Sequence, residues 1–156
     1  MLKIGQPAPG FTLPDADMEM FSLDSLRGKK HAVIFFYPRD DMPVCTREAI
    51  AFTDHEDEFS RLECEVLGIS RDDCLSHAEF RDKHGLSVRL LADEEGEVCR
   101  LYGLCQIKEK EGVQKVCVTC ATFIVDRQGV LRHILHDTMH RGHVEEVLSL
   151  LNQLKS

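Results

Sequence analysis

An excess of basic residues, a long apolar run and an internal repeat are all missing from this chain of 156 residues. Lys and Arg number 19 against 27 Asp and Glu, giving a formal charge of -8 and a pI near 5.4. That balance leaves no electropositive footprint for a nucleic acid or an anionic membrane surface, so neither partner is expected. No segment approaches the ~20 apolar residues of a membrane-spanning helix, and the opening Met1–Gly10 has no continuous hydrophobic stretch. A soluble, cytoplasmic protein is the expectation. An even cysteine framework is lacking as well: there are seven cysteines, irregularly spaced, in a chain whose 43% hydrophobic content supports a core without staples. We read them as reduced thiols in a reducing compartment, some available for redox work. The length suits one compact domain over 1–156, and no linker or low-complexity tract divides it.

What is present centres on Phe35-Phe36-Tyr37-Pro38-Arg39-Asp40-Asp41-Met42-Pro43-Val44-Cys45-Thr46-Arg47-Glu48. An apolar run stops at a proline, a short polar loop follows, and Cys45 falls in the first turn of a predicted helix. A thiol there faces unpaired backbone N–H groups and the positive end of the helix dipole, both of which favour the thiolate. Such surroundings can lower a cysteine pKa from about 8.5 far enough to make a nucleophile at neutral pH. Most cysteines are instead small, inert, buried hydrophobes. The loop, the flanking prolines and the helix start favour the nucleophile here.

In chain order, Gly5, Pro7, Pro9, Gly10, Pro14 and Gly28 punctuate an extended lead-in with short strands near Phe11–Leu13 and Met20–Ser22. His31–Tyr37 is a β-rich apolar run, the pattern of a central strand buried on both faces. Ala49, Phe52, Phe59 and Leu62 recur at helical spacing, predicting one amphipathic helix over Val44–Leu62. A strand over Glu63–Ser70, a helix from Cys74 to His84 stopped by Gly85, a short strand at Val88–Leu91 and a short helix over Glu94–Tyr102 follow. Cys105–Lys115 reads as a surface loop or ribbon. Cys117–Asp126 and Val130–Leu135 form a hairpin with Gly129 in its turn, and Val144, Val147, Leu148, Leu151 and Leu154 mark a closing helix. The series predicts an α/β domain with a central mixed sheet and helices on both faces.

The residues carry a resemblance in their order: Gly5-Gln6-Pro7-Ala8-Pro9, Phe11-Thr12-Leu13-Pro14, Phe35-Phe36-Tyr37-Pro38, Cys45-Thr46-Arg47-Glu48, Gly68-Ile69-Ser70-Arg71-Asp72, Leu91-Ala92-Asp93, Thr122-Phe123-Ile124-Val125-Asp126 and His143-Val144-Glu145-Glu146-Val147-Leu148. Together, over nearly the whole chain, these resemble the peroxiredoxins, most closely the bacterioferritin comigratory protein or peroxiredoxin Q branch. The resemblance implies a thioredoxin-like fold and reduction of hydrogen peroxide or organic hydroperoxides at Cys45, with no metal or organic cofactor. It also implies a thioredoxin-type or small-thiol reductant, and a monomer or weak dimer. In the family's Pro-x-x-x-Thr-x-x-Cys pattern, Pro38 and Cys45 match while Met42 takes the threonine position. The family arginine three residues before the phenylalanine is here Cys120. These two exchanges keep open an alternative: a redox sensor or binding module on the same fold with weak or no peroxidase turnover.

The resemblance also frames the second thiol. The family's resolving position five residues after the first cysteine is Ile50, and its placement on the following helix aligns with Arg81. Cys74, which begins that helix, is the lesser candidate for resolution. Cys120 is the sharper one, as a resolving or modulating thiol beside Cys45. Arg39 or Arg47 is a possible nearby cation. Cys117-x-x-Cys120 with Cys99 and Cys105 suggests four sulfur ligands, but β-favouring Val116, Val118 and Thr119 argue against a zinc knuckle. His136, His140 and His143 read as solvated or capping rather than metal-binding, and Asp54, Glu56, Asp57 and Glu58 as a solvated face.

Overall fold

The computed structural model describes residues 2–136, 138 and 140–154. Its frame is a five-stranded mixed sheet in the order β5-β4-β3-β8-β9, built from Arg89–Ala92, Cys64–Ser70, His31–Phe36, Ala121–Val125 and Leu131–Leu135 respectively. β3, β4 and β5 run parallel, whereas β8 and β9 are antiparallel to their neighbours. A hairpin of β1 (Thr12–Pro14) and β2 (Met20–Ser22) leads in, followed by a 3₁₀ turn at Leu23–Leu26.

β3 is central, and the side-chain period of two divides its residues between two cores. Ala32, Ile34 and Phe36 join one core with Val98, Cys99 and Tyr102 on and just after α4 (Glu97–Leu101). Val33, Phe35 and Tyr37 join the other with residues of α1 (Pro43–Asp54), α2 (Glu56–Arg61), α3 (Cys74–His84) and α5 (His143–Asn152). The sheet is thus covered on both faces, as the apolar run at His31–Tyr37 predicts. Gly68 matters on the second face: a Cβ there would lie 2.7 Å from Phe35 Cζ, so only glycine lets the Phe35 ring cross β4 and stack on Phe52 at 4.8 Å.

Two expectations need correction. The helix predicted over Val44–Leu62 is two helices, broken at His55. The break puts Glu56, Asp57 and Glu58 in the first turn of α2, where the helix dipole stabilises acids that a continuous helix would hold mid-way. His55 Nδ1 meets Glu58 Oε1 at 2.8 Å across the junction. Likewise, the run from Cys117 to Asp126 is not one strand. β7 (Val113–Val118) pairs with β6 (Cys105–Lys110) as a separate ribbon, and the chain leaves it at Thr119-Cys120 before β8 begins. Cys117 and Cys120 therefore do not share a strand.

α3 keeps its predicted bounds because both ends are encoded locally. Asp73 Oδ1 accepts the Ser76 N–H at 2.8 Å, and Gly85 closes the helix in the left-handed region. Asp73→Ala is expected to cost about 1 kcal/mol, seen as a lower urea midpoint with an unchanged m value; no change would show that the cap is dispensable. No helix among the described residues is long and apolar enough to cross a membrane.

Candidate active site

The loop after β3 places the cysteine. Pro43 takes the first position of α1, where its missing N–H costs nothing, and Cys45 follows two residues later within the first turn. The loop itself is held against α3. Tyr37 Oη donates to Asp40 Oδ1 at 2.6 Å, and Asp40 Oδ2 receives Ser76 Oγ at 2.9 Å and faces His77 Nδ1 at 2.7 Å. Asp40 N–H in turn donates to Asp72 Oδ2 at 2.7 Å, which also accepts from Ser70 Oγ at 2.6 Å. Asp41, next along, takes Lys83 Nζ at 2.6 Å and His84 Nε2 at 2.9 Å. Pro38 opens this loop half-buried, and Met42 ends it at the helix N-cap, packed against the second core.

Cys45 is buried and lines a cavity of about 20 Å³. Phe35, Phe36, Tyr37 and Phe52 form the apolar part of the lining, while Glu48, Thr122, Thr138 and His143 bring polar atoms. That volume holds roughly one water-sized group. Thr122 Oγ1 and His143 Nε2 lie 2.9 Å apart, so a residue of β8 and the first residue of α5 meet at the cavity wall.

The electrostatics reverse one expectation. Burial pushes the Cys45 thiol above its ordinary range, and the charges of Asp40 and Asp72 push it further. Backbone N–H groups of Arg39 and of Cys45 itself pull the other way and are outweighed. The local helix-start effect is present but smaller than desolvation. Arg39 acts on this thiol through its backbone N–H. Cys120 is half-buried; burial and the neighbouring Cys45 raise its thiol to about 11. Those two sulfurs are therefore electrostatic neighbours.

Cys74 stands elsewhere. It opens α3, and its thiol is raised by burial first and then by the charges of Glu94, Asp73 and Asp15. Cys99 is fully buried near Cys105, and the four-sulfur arrangement also falls on Cys117, whose side chain lies outside what is described. Asp40, Asp72 and His77 bring ligand atoms within 4.8 Å of one another, as do His140, His143 and Glu146. The first group is internally hydrogen-bonded.

Two site residues escape a reading of sequence alone. His143 is not the solvated or capping histidine expected; it is 1% exposed, and its ring stands edge-on to Phe52 at 6.1 Å. Glu48, one turn after Cys45, is 8% exposed with its carboxyl raised to about 7, chiefly by burial. Its place in the face shared by Cys45, Ala49 and Phe52 was the available signal.

Comparison with known proteins adds the family context. The family model described as AhpC/TSA family matches residues 4–134. A Coxiella burnetii protein provisionally named peroxiredoxin bcp is 40% identical over 150 residues, spanning 96% of this chain and 99% of its own. Among solved structures, peroxidoxin BcpB of Mycobacterium tuberculosis superposes with a TM-score of 0.88 at 27% identity, covering 100% of both chains. The bacterioferritin comigratory protein of Xanthomonas campestris, solved in trapped intermediate and ligand complexes bearing on its alkyl peroxide reduction activity, reaches a TM-score of 0.85 at 28% identity. That match covers 91% of this chain and 90% of the other.

Proposed function

The chain belongs to the AhpC/TSA family and is a peroxiredoxin of the thioredoxin-like fold, and from that premise we propose that its thiol-dependent peroxidase activity runs through Cys45. One observation carries this reading: among the described residues, Cys45 is the one thiol in the lining of a cavity that also holds Glu48, Thr122 and His143. The Cys45 thiolate attacks one peroxide oxygen, forming an S–O bond as the O–O bond breaks. Sulfur is oxidised to a sulfenic acid and the second oxygen is reduced to water or an alcohol. Even an unshifted thiol is only a few per cent thiolate at pH 7, and burial with Asp40 and Asp72 lowers that fraction here.

Cys120 is the proposed resolving thiol. Its sulfur displaces hydroxyl from the sulfenic acid, giving a Cys45–Cys120 disulfide and water. A thioredoxin-type or small-thiol donor then returns both thiols by exchange. Organic hydroperoxides are proposed as substrates beside hydrogen peroxide from the alkyl peroxide reduction named for the Xanthomonas campestris relative. We place this antioxidant chemistry in the cytoplasm, on a single domain acting as a monomer or weak dimer, with Pro38 and Met42 shaping the loop and Cys74 outside the reaction.

The test is peptide mapping after one equivalent of hydrogen peroxide. A Cys45–Cys120 disulfide, absent from Cys45→Ser, is the expected product, formed where the two Cα atoms can come within about 4.4–6.8 Å. A disulfide from Cys45 to any other cysteine removes Cys120 from the role. Rapid oxidation that survives Cys45→Ser removes Cys45 itself.

A further inference from the structure

Breaking an O–O bond at Cys45 requires a proton for the oxygen that departs. That oxygen leaves with its electron pair as hydroxide or alkoxide, and the water formed from hydroxide has a pKa of about 15.7. Met42 and Cys120 contribute a thioether and a thiol raised to about 11 at the positions where the resemblance places a threonine and an arginine. Neither is a strong donor.

Among the described residues, Glu48 is the acid lining the cavity. It follows Cys45 by three residues on α1, a spacing that sets two side chains on one helix face, and it forms part of the same lining. Its Oε2 is inaccessible to solvent and has no hydrogen-bond partner among the described residues. Its Oε1 meets Arg47 Nη2 only at 3.9 Å, beyond hydrogen-bond range. The groups around it oppose one another: Arg47 on α1 and His140 before α5 favour the carboxylate, and Glu145 on α5 disfavours it. Cys45 and His143 share its cavity, with His143 turned to Thr122. Burial exceeds these charges and leaves the carboxyl at about 7, so a large share is protonated at neutral pH.

We propose that Glu48 is a catalytic residue of this peroxidase, its carboxylic acid delivering the proton to the oxygen that leaves as Cys45 attacks the peroxide. The S–O bond forms, the O–O bond breaks, and the leaving oxygen takes the Glu48 proton to become water or an alcohol. Glu48 remains as a carboxylate and regains a proton from solvent before the next turnover. The inference rests on Cys45 as the attacking thiol.

Two oxidants separate this role from a structural one. Hydrogen peroxide expels hydroxide, whereas peracetic acid expels a carboxylate whose conjugate acid lies near the ~4 of an ordinary carboxyl and needs no donor. In stopped-flow oxidation at pH 7, Glu48→Gln is expected to slow hydrogen peroxide about 10²-fold and to leave peracetic acid within about threefold. The pH profile has a matching sign. In the unsubstituted protein, loss of the acid above about pH 7 offsets the gain in thiolate and the hydrogen peroxide rate flattens. In Glu48→Gln it continues to climb about tenfold per pH unit toward the thiol pKa. Equal slowing with both oxidants, or none with either, overturns the proposal. Fast oxidation in Cys45→Ser overturns the assignment beneath it instead.

Discussion

Cys120→Arg is expected to raise the rate of Cys45 oxidation by hydrogen peroxide about 10²-fold at pH 7. The site as it stands has acids on several sides of its thiol, with Asp40 and Asp72 both opposing the thiolate. A guanidinium beside the sulfur lowers a thiol pKa by about 1–3 units, which multiplies the thiolate fraction at neutral pH by the corresponding power of ten. Part of that gain is lost because nucleophilicity falls with pKa, with a Brønsted slope of about 0.4–0.5. A further factor comes from N–H donors aimed at the charge developing on oxygen, where one such group is worth about 10²–10³. The measurement is a stopped-flow rate paired with the pH midpoint of Cys45 alkylation. The midpoint should fall as the rate rises, and a variant in which neither moves would show that the missing cation does not limit this site.

The parts of the fold legible in sequence are those fixed by neighbours along the chain. β3 is an example: its alternate side chains feed two cores, as a short β-rich run apolar at successive positions predicts. The same holds for α3, with Asp73 and Gly85 at its ends. The site was legible at Cys45 because a loop, two prolines and a helix start are also local. Its chemistry was not, since the thiol pKa is set by burial and by Asp72, which the fold brings in through the Asp40 N–H. His143 shows the same limit: as the first residue of an amphipathic helix it reads as a polar cap, and only contact with Thr122 and Phe52 on distant elements turns it inward. The break at His55 was hidden for another reason, because Ala49, Phe52 and Phe59 keep helical spacing across it.

Asp40→Ala is expected to destabilise the protein by about 3 kcal/mol, the cost of taking a shared acceptor away from buried hydrogen-bonding groups. Asp40 and His77 meet at 2.7 Å with side chains only 4% and 0% exposed. The carboxylate serves three donors at once, since Tyr37 Oη and Ser76 Oγ also reach it. Alanine takes the shared carboxylate from Tyr37 Oη and His77 Nδ1, while Ser70 stays beside Tyr37 Oη and His77 Nε2 stays paired with the Leu91 carbonyl at 2.9 Å. For a chain of this length such a loss lowers the melting temperature by about 10 °C, with the urea midpoint falling and the m value unchanged. A loss below about 1 kcal/mol would mean that water replaces the carboxylate at little cost. The consequence for the thiol has the opposite sense. Asp40 opposes the Cys45 thiolate and also holds the loop that buries it, so its removal takes away a repelling charge and relaxes the desolvation together. Both changes move the Cys45 titration to lower pH, so the less stable variant should alkylate faster at pH 7. The hydrogen bonds that steady the loop are thus also a source of its weakly acidic thiol.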